Sequence, residues 1–259
     1  MEIVNSRPLY IAAQDPVLIT LDGPALRLKQ EHKALRWYPL VRVSRIIASN
    51  KTQWQAASIT ECLKRGIPIV FFTPNNGVTG WAVPSTIAPG SFASRLSELV
   101  TRPDWQSDID NWHRAKERRA AISTLKRVKF RSSETRPSFL INQVLAHIDR
   151  GWSGVTLHRL MQLQPVVAGV IMVRLQAVHA PLEILAIPGT TSIVHRIWEI
   201  LRWDLLQQLA KEQHQPWEQY NLHRAAEILE SNSYNLGERV VQIISSLNIY
   251  LAQESVTCP

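Results

Sequence analysis

Nine cationic side chains crowd the stretch from Trp112 to Arg136: Arg114, Lys116, Arg118, Arg119, Lys126, Arg127, Lys129, Arg131 and Arg136. Only Glu117 and Glu134 oppose them. A helix charged in this way can track a phosphate backbone, each cation displacing condensed counterions. Arg119 and Lys126 are one heptad apart, and Arg114 and Arg118 one turn apart, so each pair shares a helix face. The candidate phosphate contacts here are Arg114, Arg118, Arg119, Lys126, Arg127 and Lys129. They predict backbone contact, with little sequence preference. A solvated helix face would carry the same charges equally well. Trp105 and Trp112 fit a core better than a stacking platform.

Metal-dependent phosphodiester chemistry makes a second demand. It needs carboxylates, usually with a histidine, converging on a divalent ion. Asp149, Glu183, Glu199, Asp204, Glu212, Glu218, Glu227, Glu230 and Glu238 are available, but none forms a tight cluster in sequence. His195 and Glu199 make an i, i+4 pair, as do His223 and Glu227, and both read more simply as helix-surface pairs. Glu199 and Asp204, five apart, suit different faces. No phosphate-binding glycine loop, His-Glu-x-x-His or Gly-x-Ser-x-Gly occurs. The chain offers positive charge without an evident catalytic centre.

The elements that must position these groups fall into two halves. Up to about Pro89 the pattern is β-rich. Leu9–Ala13, Val17–Leu21, Ala25–Leu28 and Leu35–Leu40 are predicted strands, punctuated by Asp15-Pro16 and Asp22-Gly23-Pro24. From Tyr38 to Pro84 a complete cassette follows. Val41, Val43 and Ile46-Ile47 form a β-branched run that ends at Ala48-Ser49-Asn50. Trp54, Ala57, Ile59 and Leu63 fit a helical period, closed by Gly66. Ile67–Phe72 predicts a buried strand, Pro74–Gly77 a turn, and Val78–Val83 the returning strand. Ser85–Gly90 reads as a linker. Helices are predicted over Phe92–Val100, Trp105–Val128, Ser138–Asp149, Leu157–Leu163, Val166–Ala177, Ile193–Ala210, Trp217–Leu229 and Gly237–Leu251. The expected fold class is α+β, a small β-rich N-terminal domain (1–89) followed by a larger all-helical C-terminal domain (90–259).

Composition sets the outer bounds. The 259 residues are 45% hydrophobic, enough for one large core or two modest ones. A net charge of +8 favours a polyanionic partner. Cys62 and Cys258 offer neither a disulfide framework nor a zinc spacing. The N-terminal residues lack a signal-peptide layout, and the longest strongly apolar run, Val166–Val173, is too short to cross a bilayer. A reducing cytoplasm and no membrane are the expectation.

The Tyr38–Pro84 cassette resembles the N-terminal domain of the CRISPR-associated integrases, the "Cas-one" family. The resemblance rests on Pro39-Leu40 leading into Ile46-Ile47, on Gly66-Ile67-Pro68-Ile69-Val70, and on the Gly77–Gly80 hairpin running to Pro84. Leu9-Tyr10-Ile11 and Leu18–Leu28 fit the family's opening strands. Arg95 matches an arginine placed just after the linker, and Glu98 stands where a glutamine often follows. The resemblance implies dimerisation, assembly with a small "Cas-two" partner, and integration of DNA into a CRISPR array. It also implies an active site with a glutamate, a histidine and further acids around a divalent metal. The segment Leu160–Ala168 resembles the glutamate motif, with Gln164 at the glutamate's position. An amide does not supply the anionic ligand that a divalent ion prefers. His214 and His223 lack the neighbours of the family's histidine motif.

The leading expectation is therefore a catalytically inactive integrase-like subunit without a metal cofactor. It would bind DNA, or RNA, through Arg95 and the cations between Arg114 and Lys129 and scaffold a CRISPR-associated complex as a homodimer. Its companions would be a Cas-two-type subunit, an active integrase paralogue or another such complex. One alternative is an active magnesium- or manganese-dependent endonuclease or integrase using His195, Glu199, Asp204 and His223. Another is a protein-interaction module that binds no nucleic acid.

Overall fold

The computed structural model describes residues 6–12, 15–73, 77–83, 91–149, 155–185, 192–211, 226–227, 229 and 236–257. The chain is α+β, with strands first and helices after. Among the described residues eight strands precede residue 83: β1 (Arg7–Ile11), β2 (Val17–Asp22), β3 (Ala25–Gln30), β4 (Arg36–Pro39), β5 (Val43–Ser49), β6 (Thr52–Trp54), β7 (Ile69–Thr73) and β8 (Gly77–Ala82). The helix α1 (Ala56–Lys64) joins β6 to β7. The expected linker at Ser85–Gly90, the turn residues Pro74–Asn76, and most of the helix expected over Trp217–Leu229 lie outside the described residues. The helices that follow are α2 (Ser91–Val100), α3 (Trp105–Arg127), α4 (Pro137–Asp149), α5 (Val155–Ala177), α6 (Leu182–Leu185), α7 (Ile193–Lys211) and α8 (Leu236–Thr257).

Two four-stranded sheets form, ordered β1-β5-β7-β8 and β4-β3-β2-β6. In the first, β1, β5 and β7 are parallel and β8 returns antiparallel to β7. Adjacent residues of β5 and β7 serve two cores. Ile46, Ala48 and Ile69 pack toward the second sheet with Val17, Ile19 and Leu26. Ile47, Val70 and Phe72 pack into the helical core. A sheet covered on both faces needs apolar residues at every position, which explains the near-continuous runs in these strands.

α5 covers the first sheet's outer face. A Cβ built on Gly169 would lie 3.1 Å from Arg45 Cδ and 3.3 Å from Ile47 Cδ1, so the missing side chain permits a close helix–sheet approach. The sequence reading divides α5 at Pro165, whereas the helix is continuous through it. An internal proline forfeits one hydrogen bond and costs ~3 kcal/mol. Leu160 and Leu163 before it and Val166, Val167, Ile171, Met172 and Leu175 after it are all buried in one core, and their burial outweighs that loss. The uninterrupted helix is also longer than the apolar run suggested. By length and composition it could cross a bilayer, yet here it packs against α4, α7, α8 and the sheet.

Two smaller corrections concern the cassette. Trp54 belongs to a strand, not the helix, because Thr52–Trp54 pairs in parallel with Val17–Ile19. Its indole donates to Thr52 Oγ1 at 2.9 Å and meets Phe71 edge-on. The strand expected over Leu35–Leu40 stops at Pro39, where a 3₁₀ turn over Leu40–Arg42 buries Leu40. Gly66 adopts φ +75° just beyond α1, as its helix-ending role requires. Cys62 is buried in α1, and burial pushes its thiol up to about 12, which leaves it unreactive.

Candidate nucleic-acid interface

α3 has two unlike faces. Ile109, Trp112, His113, Glu117, Ala120, Ala121, Thr124 and Leu125 are buried at helical spacing. Arg114, Arg118, Arg119, Lys126 and Arg127 are exposed, as is Lys129 just past the helix end. Trp112 is a core residue whose indole donates to Ser246 Oγ on α8 at 3.3 Å. Of the exposed cations, Arg114 bonds only within its own turn, to Asn111 Oδ1 and the Asp110 carbonyl. Arg118 reaches Thr135 Oγ1 at 3.3 Å and Arg127 reaches Gln207 Oε1 at 2.7 Å. Arg95 is placed differently. It sits half-buried on α2, where Nη1 donates to Asn248 Oδ1 of α8 at 2.5 Å. Its guanidinium ties two helices together and does not join the exposed row on α3.

A polar ladder fixes the inner face of α3 to α7. Asp110 pairs with Arg196. Glu117 Oε1 accepts from Arg202 Nη2 at 2.7 Å and from the Trp203 indole at 3.3 Å. Thr124 Oγ1 donates to the Trp203 carbonyl at 2.9 Å and accepts from Gln207 Nε2 at 3.0 Å. At the ladder's centre, His113 Nε2 faces Glu199 Oε2 at 3.3 Å and Glu117 Oε2 at 3.9 Å. Ion-pair distance and hydrogen-bond geometry disagree there: Nε2 is close to the carboxylates but not aligned with either, so it is buried without a hydrogen bond. Two carboxylates thus meet a guanidinium on one side and an imidazole on the other.

Burial holds the His113 and His195 imidazoles below their ordinary value of 6.5, outweighing the carboxylates near them. Burial lifts the Glu199 carboxyl above its ordinary 4.5. The unfolded chain therefore takes up the histidine protons at a higher pH than the folded chain. Their contribution to stability is complete above pH 6.5 and is lost as pH falls through the folded values. Glu199 has the opposite sign, since the folded chain binds its proton first. Two histidines against one carboxyl predict a net loss of stability on acidification below pH 6.5. Urea midpoints measured on either side of that pH should show it, and His113→Gln with His195→Gln should flatten the dependence.

Of the residues named for an active metal site, His195 and Glu199 come together and Asp204 does not join them. Glu199 faces His113, His195 at 3.8 Å and Arg202 at 3.3 Å. Asp204 turns elsewhere and accepts from Arg239 Nε at 2.7 Å. Asp149 caps α5 by accepting from the Thr156 backbone at 3.1 Å. His214, His223, Glu212, Glu218 and Glu230 lie outside the described residues. Among the described residues no three His, Cys, Asp or Glu side chains are grouped to hold a metal ion. Between Glu117 and Glu199 the cation is the Arg202 guanidinium. Gln164 is half-buried on α5, its amide oxygen lying against Gly77 at the start of β8. A Cβ on Gly77 would overlap that oxygen, and the glycine's φ of +67° already disfavours a side chain. The donor set at Gln164 is thus a neutral amide engaged with a hairpin, which does not fit a divalent ion.

Residues 9–162, more than half of the chain, match the family described as CRISPR associated protein Cas1. The chain belongs to the Cas1 family. Several solved structures share the fold. A Cas1 protein from Thermotoga maritima superposes with a TM-score of 0.70 at 12% identity, covering 95% of this chain and 97% of that one. A casposase bound to an integration product gives 0.64 at 10% identity, covering 96% and 91%. A Cas6-RT-Cas1–Cas2 complex gives 0.62 at 10% identity, covering 96% of this chain and 35% of the other. A comparison with curated proteins finds no match. Sequence reasoning reached the Cas1 family through the cassette and found the exposed cations of α3. It missed the ladder beneath them. The available signal was the i, i+4 pair His113 and Glu117 on the same face as Trp112.

Proposed function

We propose that this Cas1-family chain is a catalytically inactive, integrase-like subunit of a CRISPR-associated complex. It binds DNA through the exposed cations of α3 and scaffolds assembly. In this reading residues 1–89 position and dimerise the subunit, and residues 90–259 hold the nucleic acid. The observation that carries it is Gln164, a neutral amide packed on Gly77 where the family motif has a glutamate. The exposure of Arg114, Arg118, Arg119, Lys126, Arg127 and Lys129 supports the binding half of the proposal. Among proteins of similar fold, one is bound to an integration product and another sits in a complex with Cas2. DNA, a Cas2-type subunit and an active integrase paralogue are accordingly the proposed partners, with RNA the alternative nucleic acid. The proposed setting is the cytoplasm, and no metal is required.

The decisive experiment offers a labelled prespacer and an array plasmid to the purified protein with magnesium or manganese. No integration is expected from this chain alone. Robust integration would overturn the proposal. Gel shifts at graded salt test the binding half: affinity should fall steeply with salt if phosphates are held. No shift at low salt would favour a protein-interaction module instead.

A further inference from the structure

The start of α4, where the connection from α3 ends, carries an aromatic ring that no core claims. Phe139, in the first turn of α4, is 53% exposed. The Arg136 guanidinium lies over its ring, 4.2 Å from the centroid. That guanidinium is itself fixed: Arg136 Nη2 and Nε donate to the Glu134 carboxylate at 2.6 and 3.0 Å. Glu134 is held in turn, accepting from the backbone N–H groups of Thr135 and Arg136 at 2.8 and 2.9 Å. Ser132 locks the start of the loop by bonding Gln143 on α4 at 3.1 Å. The arrangement is therefore a built surface, with Arg136 covering one side of the ring.

Its surroundings are strongly cationic. Arg118 reaches from α3 to Thr135 in this same loop, and Lys129 and Arg131 are exposed along it. Glu134 is the acidic residue in the loop, and Arg136 already occupies it. An exposed ring backed by arginine and flanked by cations is the composition that grips single-stranded nucleic acid. Bases stack on the π-face while cations follow the phosphates. A blunt duplex has no free base to present, so it would use the cations alone.

We infer that Phe139, with Arg136 behind it, is a stacking platform for an unpaired nucleobase at the edge of the α3 interface. The inference rests on the proposed nucleic-acid binding and adds to it a named side chain that would meet the face of an unpaired base.

Two probes test it: a thymine-rich single strand carrying one 2-aminopurine, and a blunt duplex. Phe139→Ala should lose roughly 5- to 100-fold in affinity for the single strand. It should also lose the quenching of 2-aminopurine fluorescence that stacking produces, and bind the duplex as the unaltered protein does. Phe139→Trp should restore both single-strand readouts. Unchanged single-strand affinity with quenching intact in Phe139→Ala would overturn the inference, as would equal losses on both probes. If the unaltered protein binds the duplex but not the single strand, the platform fails and the proposed function stands. If it binds neither probe, both fail.

Discussion

Replacing Arg118, Arg119 and Lys126 together with glutamate should abolish DNA binding at about 0.1 M salt, where a Debye length is about 10 Å. A protein holding six phosphates loses affinity with a log–log salt slope of about −5. Three lost contacts remove about 2.7 from that slope, and three new carboxylates add repulsion at the same sites. The combined loss should exceed 100-fold, at the scale of several phosphate contacts. Because all three side chains are exposed on α3, the fold should tolerate the changes, and circular dichroism with an unchanged thermal midpoint would establish that. Binding that persists with the original salt slope would show that the face of α3 meets solvent, not phosphate.

The largest expected effect on stability lies on the opposite face of the same helix. Glu117→Leu leaves Arg202 and the Trp203 indole without the oxygen both share. Glu117 and Arg202 side chains are only 9% and 19% exposed, so water replaces the lost partner poorly. Breaking one side of such a pair costs about 3–5 kcal/mol. Adding Arg202→Leu removes the guanidinium that Glu199 alone would still face, and should recover part of that loss. A urea-unfolding cycle over the two single variants and the double variant measures the coupling. Additive losses would mean that the pair is not coupled and that Glu117 acts through packing alone.

These two faces show where sequence reasoning succeeds. The exposed cations were legible because exposure requires no partner: charge density and helical spacing suffice. The sheet was legible because strands buried on both faces announce themselves as apolar runs, as Ile46–Ala48 and Ile69–Phe72 do. The ladder between α3 and α7 was not, because Glu117 and Arg202 are 85 residues apart and nothing in either neighbourhood names the other. Pro165 misled for a related reason. Local propensity favours a break there, and only the distant residues that bury both sides of the helix reverse it. Arg95 matched by position but bonds Asn248, 153 residues away. Gln164 is the mixed case. Its identity raised the question of lost chemistry, and its contact with Gly77 supplied a different occupation for the side chain.

The sheet formed by β1, β5, β7 and β8 bears on how such a protein can change over time. Its residues Ile47, Val70 and Phe72 belong to the helical core, while their neighbours belong to the core between the sheets. Neither half can be discarded without uncovering the other's interior. An ancestral line that relinquished an acidic group on α5 would still be obliged to keep α5. The same covering that closes the sheet would then preserve the whole outline of an integrase long after selection for cutting had ceased, leaving its surface free to acquire other work.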